Sequence, residues 1–249
     1  MVPRQMLVFP SISSRSNRSA IRLKRSPLAA IQALFLALIL ISGSAAQAKR
    51  EPSIPALRSA AAAAKAYCKE ALGKRDALIR RGKWVCFAGH VPTDDALRKL
   101  LMALRRSDIF VVRSMGGEVR SALDVGEVLA RRGQAVVVLD HCLSACANYW
   151  FLGAKYKFAG KDDGVGFHGG PPGPDDCHET AETCANLTRE YARSNAFLRK
   201  AGVDPIILYS PPPTYDLANR ATSFWTFSRT ELLAKWHVPN VVEYEFDSR

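Results

Sequence analysis

Long apolar runs and basic segments interleaved with aromatic residues are both missing from this chain of 249 residues. The apolar run 28–41 is shorter than the roughly 20 residues that a membrane-spanning helix needs, which argues against a permanent transmembrane segment. Although the formal net charge is +12, the lysines and arginines form no run with aromatic residues, so the composition does not favour nucleic-acid binding. Internal repeats are also absent, which excludes a repeat architecture.

Acidic residues are absent from the first 48 positions, which hold six basic residues. Arg22, Lys24 and Arg25 precede the apolar run, and Ala46-Gln47-Ala48 matches a small-x-small cleavage site. This order predicts a secretory signal peptide over residues 1–48. Removing these 48 residues and their six charges would leave 201 residues with a net charge of +6, enough for one domain. We expect a periplasmic or secreted protein, with a membrane anchor formed by an uncleaved signal as the alternative.

Six cysteines lie beyond the predicted cleavage site, and an even number in an exported chain implies disulfides. The number alone leaves many pairings open. From their positions we predict one bridge across an exposed loop, one between the N-terminal helix and the first strand, and one that braces the turn around a serine. These pairs are Cys177 with Cys184, Cys68 with Cys86, and Cys142 with Cys146.

The apolar pattern predicts a helical N-terminal lead followed by alternating strands and helices. Apolar residues at helical spacing predict a helix over 53–81 that Gly82 ends. We expect strands at 83–91, 109–113, 135–139 and 241–246, and helices after Thr93 and at 119–132, 179–201 and 230–236. The continuous apolar run 135–139 is typical of a parallel strand covered on both faces. The pattern therefore predicts a single α/β domain around a mainly parallel sheet, with a lead over 49–82 and the α/β domain over 83–249.

Three short motifs are each expected at the end of a strand, the third at a strand end near Val165. They are Ser114-Met-Gly-Gly-Glu-Val119, Cys142-Leu-Ser-Ala-Cys146 and Gly166-Phe-His-Gly-Gly170. Together they supply a glycine turn for an oxyanion, a serine at the start of a helix, and a histidine on a glycine-flanked loop. Acyl transfer requires these three parts.

Ser144 is the predicted nucleophile of this site. A serine in the first turn of a helix gains from the helix dipole, and the N–H of Ala145 can point at a developing oxyanion. The second oxyanion donor is expected from Gly116 or Gly117, where the missing Cβ lets the backbone face a substrate. The alternative is that Ser144 only caps the helix.

His168 is the predicted general base, with an ordinary surface histidine as the alternative. His141 is too close in sequence to Ser144 for this role, although it could line the pocket. A third residue should orient the base, and Asp216 is the best candidate. Asn219 could do the same, and Asp216 could instead be a turn-forming aspartate.

The motifs, taken with the strand 135–139 and the small residues after Ser144, resemble the ClpP/crotonase superfamily. They are most similar to its exported, ClpP-like serine proteases, which often show Cys-x-Ser-Ala-Cys and Gly-Phe-His motifs. The resemblance covers residues 83–240. It implies a spiral of βαβ units, with Ser144 as nucleophile, His168 as base and the glycine turn as part of the oxyanion hole. Met115 departs from the proline usual in the family, and the third triad aspartate has no clear match.

Two function classes remain open. One is an exported serine hydrolase, a peptidase acting on peptides or unfolded segments. The other is a non-catalytic member of the same fold that binds a peptide or a protein. An acyl-CoA enzyme of crotonase type fits less well because that chemistry is cytoplasmic. We expect no cofactor for the hydrolase. No ATPase partner is expected either, because ATP is not available outside the cytoplasm. A homo-oligomer is left open.

A metal site is not expected. His141, Cys142, Cys146 and His168 could be drawn as zinc ligands, but three residues between two cysteines is not a usual zinc spacing. In an oxidising compartment these thiols should be bridged, which also counts against a cysteine nucleophile.

Overall fold

The computed structural model describes residues 51–105, 107–216 and 223–244, so the predicted signal peptide and Asn219 lie outside the described residues. Within them, seven strands form one sheet in the order β1–β2–β3–β4–β5–β7, and β6 also pairs with β4. The strands are β1 (Ala77–Arg81), β2 (Trp84–Ala88), β3 (Ile109–Ser114), β4 (Ala135–Leu143), β5 (Tyr156–Ala159), β6 (Gly164–Gly166) and β7 (Val241–Tyr244). β1 pairs antiparallel with β2, and the other pairs are parallel.

Helices cover both faces of this sheet. The α-helices are α1 (Ile54–Leu72), α2 (Asp94–Leu104), α3 (Val119–Arg132) and α4 (Ala181–Lys200). Short 3₁₀ segments lie at Pro174–Asp176 and Pro205–Tyr209, and π-helical segments at Cys146–Phe151 and Glu231–Lys235. Within the described residues no helix combines the length and apolarity needed to cross a membrane.

Alternate residues of the central strands contribute to two apolar layers. Val111 and Val137 pack in the layer that contains the buried face of α1. Val112 and Val138 pack in the layer that contains α3 and the π-helical segment Cys146–Phe151. Because side chains alternate across a strand, a strand buried on both faces carries apolar residues at successive positions. The predicted α/β fold around a mainly parallel sheet is therefore confirmed, and the strands predicted at 83–91, 109–113 and 135–139 are the neighbours β2, β3 and β4.

The predicted helix over 53–81 is wrong beyond Leu72. The helix ends at Gly73, whose N–H donates to the Lys69 carbonyl at 3.1 Å. The following residues form β1, which pairs along its whole length with β2 across a turn at Gly82. The helical apolar spacing stops at Leu72, because the positions three and four residues further on are Arg75 and Asp76. Beyond Gly73 the backbone hydrogen bonds to β2 decide the local structure. Gly82 is therefore a hairpin residue and not a helix stop.

Other predicted elements shift only at their ends. The helix over 119–132 is confirmed, and it ends at Gly133. β4 extends to Leu143, beyond the predicted end at residue 139, because its last residues pair with β6 and with Ser114. The helix predicted over 179–201 is α4, and the described part of the final strand is β7.

All three predicted disulfides are confirmed. Cys68–Cys86 joins α1 to β2, and Cys177–Cys184 joins the loop before α4 to the first turn of α4. Cys142–Cys146 encloses Ser144. The Cα separations are 5.4, 5.7 and 5.3 Å, within the usual range for a disulfide. Three disulfides are characteristic of a protein that matures in an oxidising compartment.

Candidate active site

The pairing of β4 with β6 brings the predicted serine and histidine together. Leu143 at the end of β4 pairs with Gly166 at the end of β6. The Ser144 N–H donates to the Gly166 carbonyl at 2.8 Å, which continues this pairing by one residue. His168 Nε2 lies 2.5 Å from Ser144 Oγ, a hydrogen-bond contact. Ser144 and His168, which stand in two separate motifs, are therefore in contact at the C-terminal ends of β4 and β6.

Ser144 lies in a tight turn between β4 and the π-helical segment Cys146–Phe151. Its φ angle is +55°, a left-handed conformation that is uncommon for a residue with a side chain. Its carbonyl accepts a hydrogen bond from the Asn148 N–H at 2.9 Å, and the Cys142–Cys146 disulfide encloses it. Backbone conformations of this kind persist where the surrounding structure holds them, and they concentrate at functional sites. The hydroxyl contacts the imidazole, as a nucleophile does with its base.

The glycine turn after β3 packs directly against the serine turn. A Cβ added to Gly116 would lie 2.6 Å from Ser144 Cβ and 2.7 Å from the Leu143 carbonyl oxygen. The φ angle of Gly116 is +92°, which a residue with a side chain rarely adopts. This position therefore requires glycine for two independent reasons. The same virtual Cβ lies 3.0 Å from the Ala145 nitrogen, so the turn faces the predicted oxyanion donor.

Hydrogen bonds distinguish the two predicted glycine donors. The Gly116 N–H donates to Ser114 Oγ at 3.1 Å, and the Gly116 carbonyl accepts from the Val91 N–H at 2.8 Å. Gly117 forms an isolated bridge with Val91. Both polar groups of Gly116 are therefore used within the protein, which leaves Gly117 as the better candidate for a substrate-facing N–H.

His168 is held in place by contacts on both sides in sequence. Before it, Phe167 exchanges two backbone hydrogen bonds of 2.8 Å with Trp225. After it, Gly169 turns the chain with a φ angle of +117°, and the Gly169 carbonyl accepts from Asn148 Nδ2 at 2.8 Å. The imidazole also packs edge-on against the Phe224 ring, with centroids 5.3 Å apart. The ring therefore lies in a defined position beside Ser144.

The third triad position remains a prediction. Asp216 is exposed and ends a described stretch, while Asn219 lies outside the described residues. The preceding residue, Tyr215, packs edge-on against Trp225 at 4.8 Å and donates to the Ser223 carbonyl. Trp225 is the residue that pairs with Phe167. Asp216 thus follows a residue packed against the segment that supports His168, which is compatible with the predicted orienting role.

His141 faces a neighbouring cavity. This cavity has a volume of about 290 Å³, and Ser114, Met115 and His141 form part of its wall. Burial lowers the pKa of His141, the nearby Asp140 carboxylate opposes this, and the Arg113 guanidinium adds to it. The prediction that His141 could line a pocket agrees with this position. His90 also lines the cavity, and it is exposed, as are His178 and His237.

Glu118 joins the glycine turn to α3. Its two carboxylate oxygens accept from the N–H groups of Arg120 and Ser121 at 2.9 and 2.6 Å. Burial alone would raise the pKa of Glu118, but the hydrogen bonds from Ser121 and Arg120 hold it below the usual value. A carboxylate at this position caps α3 and anchors the turn that precedes it.

The thiol and zinc alternatives do not fit this site. Cys142 and Cys146 are bonded to each other, and both are fully buried. Neither can act as a nucleophile or ligate zinc while this bond is intact, because both roles need a thiolate. Among the described residues no group of three histidine, cysteine or acidic side chains is arranged to hold a metal.

Two residues in contact with the site were not predicted. Asn148 lies in an otherwise apolar stretch, and a polar residue four positions after Ser144 in such a stretch is a signal that could have indicated a role. Phe224 carries no comparable signal, because its contact with His168 depends on a pairing between distant segments.

No protein-family model matches this chain, and no curated protein matches it. Its chemistry is therefore inferred from the arrangement of its own residues. A histidine that is hydrogen-bonded to a serine can activate the serine hydroxyl as a nucleophile. Backbone N–H groups of the neighbouring glycine turn and of the first helical turn can stabilise an oxyanion.

Proposed function

We propose that this protein is an exported serine hydrolase, a peptidase of ClpP/crotonase type, with Ser144 as nucleophile and His168 as general base. The observation that carries the proposal is the contact of 2.5 Å between His168 Nε2 and Ser144 Oγ. A histidine within hydrogen-bond reach of a serine hydroxyl is the arrangement that nucleophilic serine catalysis needs.

The reaction follows from this geometry. Ser144 Oγ attacks a substrate carbonyl carbon while His168 Nε2 takes its proton. The N–H groups of Ala145 and Gly117 stabilise the oxyanion, since the Gly116 N–H already donates to Ser114. The protonated imidazole then donates to the leaving amine, and the acyl-enzyme forms. Water, deprotonated by His168, attacks the acyl carbon and releases the product acid and the free serine.

The family relationship, with its spiral of βαβ units, is part of the same proposal. The three motifs and the order of strands and helices around them support it. A peptide or unfolded segment is the proposed substrate, no ATPase partner is proposed, and Asp216 is the proposed orienting residue. Export is supported by the three disulfides.

A peptide-binding protein without catalysis is the second candidate. The side chain of Met115, at the position where the resembled family usually has proline, is 45% exposed beside the glycine turn. An exposed apolar side chain next to this turn suits contact with a peptide. The two candidates differ in whether Ser144 is chemically reactive.

A fluorophosphonate probe separates these candidates. The protein, purified from an exporting host with its disulfides intact, should be labelled on the peptide that contains Ser144. Ser144→Ala should abolish labelling, and His168→Ala should reduce its rate by roughly 100-fold or more, because base and nucleophile act as a unit. Asp216→Asn should reduce it less if a backbone carbonyl shares the orienting role.

Ser53→Ala provides the matched control. Ser53 caps α1 by accepting from the Ala56 N–H, so its loss removes a helix cap without touching the site. Labelling of Ser53→Ala should equal that of the unaltered protein. An unaltered protein that shows no Ser144 labelling between roughly pH 6 and 9, a range that spans histidine titration, would refute the hydrolase and leave the binding protein.

A further inference from the structure

Asn148 is a buried polar residue in an apolar segment. Its side chain is 3% exposed, and its neighbours Ala147, Tyr149 and Trp150 are fully buried. Placing an amide in such surroundings is costly unless it forms hydrogen bonds. A retained polar group in this position therefore needs a reason beyond packing.

The amide spans the gap between the serine segment and the histidine loop. Asn148 Nδ2 donates to the Gly169 carbonyl at 2.8 Å, and only the nitrogen of the amide can donate to a carbonyl. Asn148 Oδ1, in contrast, is buried with no hydrogen-bond partner among the described residues. An unpaired buried acceptor is unfavourable, so this side chain stabilises the fold less than its burial suggests. What the amide does secure is the carbonyl directly after His168.

The same residue also holds the nucleophile. The Asn148 N–H donates to the Ser144 carbonyl at 2.9 Å. Its backbone thus holds the left-handed turn of Ser144, while its side chain holds the loop of His168. The opposite side of that loop is held by the hydrogen bond from the Ser144 N–H to Gly166. His168 is therefore fastened to the serine turn both before and after its own position.

We propose that Asn148 is a positioning residue that sets the distance between Ser144 Oγ and His168 Nε2. This inference rests on the proposed hydrolase function. Asn148 acts through the loop carbonyl and is not placed in contact with substrate. Without its Nδ2 donor the loop after His168 loses its attachment to the serine segment, and a displacement of about 1 Å between base and nucleophile is enough to slow such a reaction roughly 100-fold.

Asn148→Leu tests this role because it keeps a similar volume and removes the donor. Asn195→Leu is the matched control. Asn195 lies on α4, is 6% exposed, and also has a buried Oδ1 without a partner among the described residues. Both variants replace a buried amide, so a general effect on the core would appear in both. Asn148→Ser, whose hydroxyl is one atom shorter than the amide, is the second variant in case leucine prevents folding.

Two measurements are made on each protein. Fluorophosphonate labelling of Ser144 should be about 100-fold slower in Asn148→Leu than in Asn195→Leu. In the unaltered protein the rate should level off at high pH, once the base is unprotonated. In Asn148→Leu it should instead keep rising with hydroxide, because no base is in place. Hydrogen exchange of peptides covering residues 166–173 should be faster in Asn148→Leu only.

Each other outcome counts against the proposal. Unchanged labelling and an unchanged pH profile in folded Asn148→Leu, with the unaltered protein labelled, would overturn the role of Asn148 alone. If both Asn148 variants fail to fold while Asn195→Leu folds, Asn148 is needed for the stability of the core, and the positioning role is refuted. An unaltered protein without labelling would refute the hydrolase itself and the catalytic part of this role; the exchange rates would then still show whether the loop is attached.

Discussion

The disulfide around Ser144 should matter more for reactivity than for stability. Cys142 and Cys146 enclose a short loop, with a sequence separation of 4, whereas the other two disulfides have separations of 7 and 18. In the chain-entropy description these loops correspond to about 2, 2.4 and 3 kcal/mol of stabilisation respectively. Replacing both cysteines of a pair by alanine should therefore destabilise the Cys142–Cys146 variant least.

Reactivity should fall only when the Cys142–Cys146 disulfide is lost. A left-handed residue with a side chain costs roughly 1–2 kcal/mol, and the Cys142–Cys146 disulfide is one of the bonds that hold Ser144 in this conformation. Without that disulfide the turn of Ser144 can relax away from its φ angle of +55°. If the relaxed turn has to regain the left-handed conformation before Ser144 reacts, at a cost of up to roughly 2 kcal/mol, labelling of Ser144 should fall up to about 30-fold, since every 1.4 kcal/mol is a factor of ten.

Urea unfolding followed by tryptophan fluorescence gives the stabilities, and the rate of fluorophosphonate labelling in the absence of urea gives the reactivities. The Cys68–Cys86 and Cys177–Cys184 variants serve as controls that lose more stability but keep the labelling rate. A Cys142–Cys146 variant labelled as fast as the unaltered protein, or labelling that follows stability across all three variants, would refute the argument.

Two further predictions concern glycine and lysine positions. Gly116→Ala should abolish labelling, because its Cβ would lie 2.6 Å from Ser144 Cβ. The control Gly164→Ala should be labelled normally, because the nearest contact of its Cβ is at 3.8 Å. Equal labelling of the two variants would contradict this prediction. Burial lowers the pKa of Lys157 to about 7 from 10.5. Between about pH 7 and 10.5 the lysine is therefore protonated in the unfolded chain but not in the folded protein, so the free energy of unfolding in urea should rise with pH across that range. Lys157→Met should lack this rise. The same pH dependence in both proteins would contradict the prediction.

Much of the candidate site could be predicted from the sequence, because each of its motifs is formed by residues that are close together in the chain. Gly116, Ser144 and His168 each stand in a motif whose backbone requirements can be read from the residues beside them. The disulfide partners also followed from position. Asp216 stayed a prediction, because its role depends on how a proline-containing loop packs, and the loop pattern does not contain that information.

What the sequence by itself determined is the alternation of strands and helices, the burial of both sheet faces and the chemical types at the strand ends. These properties depend on side-chain periodicity and on glycine, which act over a few residues. Only the tertiary structure decided that residues 77–81 form an edge strand, because their hydrogen bonds come from β2. It also decided the contact between Ser144 and His168 and the attachment of Gly169 to Asn148. Both depend on the register of β4 with β6, and pairing between distant segments is set by packing of the whole chain.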